Sequence, residues 1–216
     1  MAMFGETHRV LQDQFESRRI ADLLASLAAP AIDESAKAFI ETRSFFFLST
    51  VSDDGQPTVS HKGGAPGFVK VVDGHTLVFP SYDGNGMFLS MGNIVATGRI
   101  GLLFMDFETP HRLRVHAMAT ASTDDPMMAE FPGADLVVRA EVLASFENCP
   151  RYIHKQAAIQ PSRYVPDERG AAPAPGWKRL DVIQPFLPER FQGAAEAEGG
   201  IITVDEYRNL LAEGNG

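Results

Sequence analysis

The sequence predicts a mainly β fold, an antiparallel barrel or sandwich with a few flanking helices. Between residues 45 and 146 about seven short segments are rich in β-branched and aromatic residues. Turn sequences separate these segments at hairpin spacing, and few helical patterns interrupt them. With 216 residues, of which 44% are hydrophobic and 22% charged, the chain is long enough to bury one large core.

The first part of the chain predicts two helices. From residue 8 to residue 27 apolar side chains recur at helical spacing, which indicates one amphipathic helix ending before Ala29-Pro30. A second, short helix is expected over 33–43, with Asp33 as its N-cap. These helices precede the first strand.

Seven strands follow, and turn residues mark most of their ends. Asp73-Gly74 is a strong hairpin signal, and a Gly-rich loop over 80–86 leads into a helix predicted over 87–96. The predicted strands are 45–51, 57–61, 68–72, 76–79, 99–106, 112–121 and 136–146.

The last part of the chain has a different composition. Residues 160–200 are rich in Pro, Gly and Ala, which predicts a long and mostly irregular arm. Thr203 and Glu206 form a capping-box pattern that opens a short helix to about Leu211. We therefore expect an N-terminal helical segment (1–32), a β domain (33–156), and an arm and helix (157–216) that pack on the same domain.

Charge and composition exclude several classes of protein. The formal net charge of −9 repels phosphate backbones and anionic lipid, so broad nucleic-acid or membrane-surface binding is not expected. No apolar signal core opens the chain, and its longest apolar run is too short for a bilayer, which predicts a soluble cytoplasmic protein. The single cysteine excludes an intramolecular disulfide, and the six histidines show no metal-binding spacing.

Two segments have residue types suited to an anion. On a strand, Thr58, Ser60 and Lys62 share one face, and Gly63 and Gly64 follow them. Two hydroxyls, an ammonium and accessible backbone N–H groups suit a phosphate, although the same pattern is typical of a solvated strand face. The loop over 80–86 offers a second anion site at a helix N-terminus, with Asn85 and Ser90 as donors. The same loop pattern is also typical of an ordinary capped loop that binds no ligand.

Two further segments leave their roles open. Arg112, Arg114 and His116 share one face of a strand, where they would meet an anionic ligand, a partner subunit or water. Cys149 lies near Arg151 and His154, so it is either a reactive thiolate or a small packed side chain.

The order of motifs resembles one family. The segments Asp54-Gly-Gln-Pro57, Ser60-His-Lys-Gly-Gly-Ala-Pro-Gly-Phe68, Gly84-Asn85 and Gly101-Leu-Leu-Phe104 are similar to those of the FMN-binding split β-barrel family related to pyridoxamine 5′-phosphate oxidase. The segment from Asn148 to Ile153 resembles an oxidase-like bacterial branch of it. The resemblance implies a six-stranded antiparallel Greek-key barrel and a homodimer with FMN between the subunits.

The resemblance also implies which residues bind the cofactor. Lys62 and the residues around it align with a strand that lies along the flavin, and no residue is required as a catalytic acid, base or nucleophile. The cofactor-binding residues expected here are Thr58, Ser60, His61, Lys62, Gly63, Pro80, Ser81, Asn85, Ser90, Arg112 and Arg114.

Two departures from the oxidases affect the expected substrate. The oxidases carry Ser-Arg-Lys in the phosphate loop, where this chain has Asn85-Gly86-Met87, and their Arg-rich C-terminal segment has no counterpart here. The expected function is therefore an FMN-binding oxidoreductase that acts on an unidentified small molecule or a nicotinamide donor. The alternatives are a non-catalytic flavin-binding or sensing protein, and a split barrel that uses a deazaflavin or haem.

Overall fold

The computed structural model describes residues 3–147, 149–157 and 160–213. The chain divides into two compact units, one that ends at Pro161 and one that begins at Ser162. The predicted packing of the C-terminal arm on the β domain stays a prediction.

The first unit is built on one antiparallel sheet of seven strands in the order β2-β1-β5-β6-β7-β4-β3. Its helices are α1 (Glu6–Gln14), α2 (Arg18–Ser26), α3 (Glu34–Glu41) and α4 (Leu89–Thr97). The strands are β1 (Phe45–Val51), β2 (Pro57–Gly63), β3 (Lys70–Asp73), β4 (Thr76–Tyr82), β5 (Arg99–Asp106), β6 (His111–Ser122) and β7 (Ala134–Glu147).

The sheet confirms the mainly β fold and the seven strands that the sequence predicts. It has one strand more than the six implied by the resemblance, and it is open, with β2 and β3 at its two ends. The edge at β3 is partly covered, because the Glu41 carboxylate of α3 accepts the N–H of Val71 at 3.1 Å. An edge donor satisfied by a side chain is not available to another strand.

The core lies on one face of this sheet. Alternate side chains of β1 and β5 fill it, among them Phe46, Leu48, Leu102 and Phe104, each at most 2% exposed. Helix α4 covers part of the same face, where its Asn93 amide donates to the Thr50 hydroxyl at 3.0 Å in a buried site. This bond fixes the middle of α4 against β1.

The N-terminal pattern forms two helices rather than the single helix predicted over 8–27. The chain turns between α1 and α2, where Glu16 has a φ of 53°. Ion pairs between Arg9 and Asp22 and between Arg18 and Asp13 then join the two helices. The short helix that follows is confirmed, since the Asp33 carboxylate caps α3 by accepting the Ala36 N–H at 2.8 Å.

The segment after residue 79 also differs from its prediction. Strand β4 continues through Pro80 to Tyr82, whereas the sequence predicts a loop from residue 80. Val78 is the last residue of β4 that pairs with β3, so Pro80 lies on an edge portion of β4, where its missing N–H is tolerated. Helix α4 begins at Leu89 instead of 87, because Phe88 adopts a left-handed φ of 49°.

The second unit consists of short helical turns and confirms the mostly irregular arm. The Lys178 ammonium is buried and lies 3.4 Å from the centre of the Phe191 ring. The predicted capping box is present, with the Thr203 hydroxyl accepting the Glu206 N–H at 3.3 Å. This unit contains 3-10 turns at Gly176–Arg179, Gln184–Phe186 and Glu189–Phe191 and helices α5 (Ala194–Ala197) and α6 (Val204–Ala212).

Candidate functional site

A cavity of about 350 Å³ lies between β2, the end of β4 and the start of α4. Six of the residues that the sequence marks as cofactor-binding line it together. They are Thr58, Ser60, Lys62, Ser81, Asn85 and Ser90.

The register of β2 on β1 decides which of its side chains reach the cavity. Ser60 lies opposite Leu48 and Lys62 opposite Phe46, so the polar face of β2 continues the core face of β1. Because β2 is at the end of the sheet, these side chains extend beyond the core into the cavity. The period-2 prediction for this strand is confirmed, since Ser60 and Lys62 are half-buried and Val59 is exposed.

Lys62 is the cation of this cavity. Burial lowers the pKa of its ammonium below the ordinary lysine range. Among the described residues no carboxylate lies within ion-pair distance of it, and no neighbouring charge offsets the burial. A half-buried ammonium without an acidic partner is costly, so its geometry favours an anionic ligand.

Hydroxyl groups surround the same space. The Ser60 and Ser90 hydroxyls lie 3.1 Å apart, and Ser81 and Ser90 are each 8% exposed. Ser90 is in the first turn of α4, where Phe88 provides no side-chain cap for the free N–H groups. Hydroxyls, helix N–H groups and an ammonium are the donors that a phosphate requires.

The mouth of the cavity is apolar. Met87 and Phe88 line it and are 68% and 51% exposed. Tyr82 also lines the cavity, and burial raises the pKa of its phenol, so the phenol keeps its proton and can donate. The sequence motifs do not single out Tyr82, Met87 or Phe88, although the run Met87-Phe88-Leu89 after a Gly-rich loop is a signal for the two apolar residues.

Other predicted residues of this region lie outside the cavity. His61 is on the opposite face of β2 and stacks on Phe45 with ring centres 5.3 Å apart, and burial together with the Lys62 charge lowers its pKa. Gly63 pairs with Phe45, and Pro80 is buried within β4. The following Gly64 is already bonded, since its N–H donates to the Ser44 carbonyl at 2.9 Å.

Arg112 and Arg114 also lie elsewhere in this chain. They are on β6, opposite Met105 and Leu103 of β5, and do not line the cavity. The Arg112 Nε is buried with no hydrogen-bond partner in the described part of the chain. Their predicted role toward the cofactor stays a prediction.

The remaining candidates are also apart from the cavity. Cys149 is exposed and accepts the Arg151 N–H at 3.4 Å, while Asn148, the first residue of that motif, is outside the described residues. In 3–147, 149–157 and 160–213 no cluster of His, Cys, Asp and Glu side chains could hold a metal ion. None of the helices described there has the length and apolarity needed to cross a bilayer.

Comparison with known families decides the assignment of this fold. The family model described as pyridoxamine 5′-phosphate oxidase matches residues 32–163, more than half of the chain. The chain belongs to this family. The match includes the whole seven-stranded sheet and the cavity, and it confirms the family resemblance of the sequence motifs.

Several solved structures are similar to this chain, whereas no curated protein matches it significantly. HupZ of Group A Streptococcus is 19% identical, with 58% of this chain and 99% of that one covered and a TM-score of 0.45. A putative pyridoxamine 5′-phosphate oxidase of Lactobacillus delbrueckii is 24% identical, with coverage of 56% and 97% and a TM-score of 0.44. An FMN-binding protein of Syntrophomonas wolfei is 13% identical, with coverage of 67% and 98% and a TM-score of 0.39. These similarities are too low to transfer a ligand.

Proposed function

We propose that this protein binds FMN in the cavity beside β2 and acts as an FMN-dependent oxidoreductase. The observation that supports this proposal is the half-buried Lys62 ammonium, which has no acidic partner among the described residues and lines a cavity together with several hydroxyls. A phosphate group would supply the missing negative charge. Membership of the pyridoxamine 5′-phosphate oxidase family is consistent with a flavin phosphate.

The phosphate would bind at the polar end of the cavity. There the Lys62 ammonium, the Ser60 and Ser90 hydroxyls and the first turn of α4 provide convergent donors. The anion would also lie at the positive end of the helix dipole, which adds to its binding. The residues present therefore fit a single phosphoryl group.

The flavin ring would extend toward the apolar mouth. Met87 and Phe88 offer it a hydrophobic wall there. A volume of about 350 Å³ is near the lower end of the roughly 300–1,000 Å³ of small-molecule sites, so part of the ring would protrude. We infer a homodimer in which a second subunit covers that part.

The flavin would supply the redox chemistry, and the protein would supply position and electrostatics. Tyr82 keeps its proton and lines the cavity, so it can donate a hydrogen bond to the bound ring or to a substrate. Among the residues that line the cavity Lys62 is the one cation, so a second phosphate, as in pyridoxamine 5′-phosphate, has no matched charge. The expected substrate is a small molecule or a nicotinamide donor.

A visible absorption spectrum of the purified protein tests the proposal. We expect flavin bands, or their appearance after FMN is added and excess is removed by desalting. Reduction of the bound flavin by NADH, NADPH or a small organic donor would support the oxidoreductase, whereas bound flavin without turnover would support the flavin-sensing alternative. A protein that stays colourless after FMN addition, or that carries a haem or deazaflavin spectrum, would refute FMN binding.

A further inference from the structure

The loop that joins β4 to α4 contains the dipeptide Asn85-Gly86. This loop runs from residue 83 to residue 88, and all of its residues are exposed to solvent. Asparagine is among the chemically unstable residues of proteins, because the next backbone nitrogen can displace its side-chain amide. A following glycine hinders that attack least, since it has no Cβ. Water and the reacting groups therefore meet in this loop.

The attacking group, the Gly86 nitrogen, is unrestrained. Its N–H donates to no group of the described residues. A Cβ placed on Gly84 or Gly86 would meet no atom within 4 Å, so the backbone here has open space around it. Gly86 also has a φ of 78°, a conformation that glycine adopts without strain. The nitrogen can therefore approach the Asn85 side chain without giving up a hydrogen bond.

The Asn85 side chain is held in a way that favours this attack. Its Oδ1 accepts the Met87 N–H at 3.0 Å, and its Nδ2 donates to the Met87 sulfur at 3.3 Å. A hydrogen bond to the carbonyl oxygen stabilises the negative charge that the oxygen gains when Cγ is attacked. A thioether is a weak acceptor, so the amide nitrogen that must leave is held weakly.

The other asparagines of the described residues, Asn93 and Asn209, lie in different surroundings. Both are inside helices, where the N–H of the next residue belongs to the hydrogen bonding of the helix. Asn93 is 7% exposed, and its amide is bonded to Thr50. A β-branched residue, Ile94, follows it. The structure therefore favours the reaction at Asn85 and opposes it at Asn93.

The reaction would change the charge of the candidate site. The charged side chains that line the cavity are the Lys62 ammonium and the Asp83 carboxylate, and Asn85 lines it with a neutral amide. A carboxylate at position 85 would add a second negative charge and remove an N–H donor. Both changes oppose the binding of an anion, because like charges repel and Lys62 gains a competing acid.

We propose that Asn85 is a deamidation site, and that its conversion to aspartate or isoaspartate weakens anion binding in the cavity. The Gly86 nitrogen forms a bond to Asn85 Cγ, and the bond from Cγ to Nδ2 breaks. Nδ2 leaves as ammonia and takes the proton of the Gly86 nitrogen. Water then opens the cyclic imide: cleavage at Cγ gives aspartate, and cleavage at the Asn85 backbone carbonyl carbon gives isoaspartate.

The modification does not depend on a flavin, whereas its effect on FMN rests on the proposed function. Each conversion exchanges an amide for a carboxylate with the loss of ammonia, and no group of the loop can reverse it. The affinity of the cavity for an anion therefore falls as the ligand-free protein ages.

Peptide mapping of the full chain tests the modification. The ligand-free protein is incubated at mildly alkaline pH for the time in which half of a synthetic peptide of residues 82–90 is deamidated. Trypsin releases residues 71–99 as one peptide, because Lys70 and Arg99 bound a stretch with no other Lys or Arg. Fragmentation in a mass spectrometer locates the exchange of NH2 for OH, and an unincubated sample corrects for changes during digestion.

We expect substantial conversion at Asn85 and none at Asn93, which lies in the same peptide. An Asn85 that stays intact over this time would overturn the proposal. Equal conversion at Asn93 would also overturn it, because the fold would then not select the site. The change in mass is the required sign, since the neighbouring Asp83-Gly84 can form isoaspartate with no change in mass.

Two variants test the effect on the cavity. Asn85→Asp carries the charge of the product, and Asn85→Gln keeps an amide whose extra methylene disfavours ring closure. Fluorescence titration should show a Kd for FMN raised about tenfold in Asn85→Asp and close to that of the wild type in Asn85→Gln. Incubation should raise the Kd of the wild type and leave that of Asn85→Gln unchanged.

The two parts of the proposal can fail separately. Conversion at Asn85 with no change in the Kd for FMN would overturn the effect on binding. Conversion in a chain that binds no FMN even before incubation would support the modification and refute the flavin site alone.

Discussion

Two cations on the same sheet, Lys62 on β2 and Arg139 on β7, are held in opposite ways. The Arg139 guanidinium donates two hydrogen bonds of 2.9 Å to the Asp125 carboxylate. This pairing raises the pKa of Arg139 and lowers the pKa of Asp125. Lys62 has no such partner among the described residues, and burial lowers the pKa of its ammonium.

The direction of the pKa shift separates two roles. A cation whose pKa is raised has its counter-charge within the fold, so its contribution goes into stability. A cation whose pKa is lowered is destabilised in the free protein and regains that free energy when an anion binds. Arg139 therefore fastens the 123–133 loop to β7, while Lys62 is available to a ligand.

The largest expected effect is on ligand binding by Lys62. Lys62→Ala should weaken FMN binding by about 1.5–3 kcal/mol, or about 10- to 150-fold in Kd, because one hydrogen bond to a charged group is lost. The free energy of unfolding of the free protein should not fall, because the side chain removed has no acidic partner among the described residues. Fluorescence titration with FMN measures the first effect, and urea denaturation measures the second.

Lys70→Ala is the matched control for this prediction. Lys70 lies on β3 of the same sheet and pairs with Glu130 at 3.2 Å, away from the cavity. Its removal should leave the Kd for FMN unchanged. If Lys62→Ala also leaves the Kd for FMN unchanged, Lys62 does not contact the phosphate. The proposed difference in role between Lys62 and Arg139 would then be wrong.

Arg139→Ala should show the reverse behaviour. It should lower the free energy of unfolding by about 1–2 kcal/mol, because the Asp125 carboxylate, whose side chain is 7% exposed, loses both charge-assisted hydrogen bonds. The Kd for FMN should stay the same. Arg99→Ala, on an exposed position of β5, should change stability by less than about 0.5 kcal/mol. If Arg139→Ala and Arg99→Ala lower the free energy of unfolding equally, the ion pair between Arg139 and Asp125 contributes nothing to stability.

The two regions should also respond to pH in opposite directions. The folded pKa of Asp125 is lowered, mainly by its hydrogen bonds to Arg139, so this stabilisation is present above the ordinary aspartate pKa and is lost as the pH falls through the folded value. For Lys62 the pKa of the free protein is lowered, so FMN affinity should fall as the pH rises, beginning below the ordinary lysine pKa.

Matched variants separate these pH effects. Acid denaturation of Arg139→Ala should lack the part of the pH dependence that Asp125 provides. The alkaline loss of FMN affinity should be absent in Lys62→Ala, which has no ammonium to titrate. An alkaline loss of the same size in that variant would assign the titration to another group, such as Tyr82, whose pKa is raised by burial.

The smallest effect is expected for the hydroxyls. Ser90→Ala should weaken FMN binding by about 0.5–1.5 kcal/mol, the value of one hydrogen bond, because Ser90 and Ser60 share a contact of 3.1 Å at the cavity wall. Ser49→Ala, on the other face of β1, should leave the Kd unchanged and serves as the control. A loss in Ser90→Ala as large as that in Lys62→Ala would show that charge does not dominate the site.

Local patterns predicted much of this fold. The bounds of β1 and β5, the Asp33 cap of α3 and the capping box at Thr203 agree with the sequence, because each depends on residues a few positions apart. The break at Glu16 was not predictable, since a non-glycine residue in the left-handed region has no local signal. Strand β4 can continue through Pro80 only where β3 no longer pairs with it. The local sequence around Pro80 does not show where β3 ends.

The candidate site shows the same difference between what local patterns predict and what depends on distant segments. Alternation on β2 identified Thr58, Ser60 and Lys62 as one face, yet the same rule placed Arg112 and Arg114 on one face of β6, which does not line the cavity. Alternation separates two faces of a strand but does not say which of them meets a ligand. That depends on the neighbouring elements, which in the case of β2 are the end of β4 and the start of α4.

By itself the sequence determined the strands, the caps, the family and the residue types of the proposed anion site, because these follow from neighbouring residues and short motifs. Only the tertiary structure decided that Lys62 would lie opposite Phe46 and beside Ser81 and Ser90 with no ion pair to a carboxylate of the described residues, while Arg139 would meet Asp125. These outcomes depend on strand register and on contacts between distant segments. The free energy of a buried charge is set by the groups that surround it in space, so its role becomes visible only when the chain is folded.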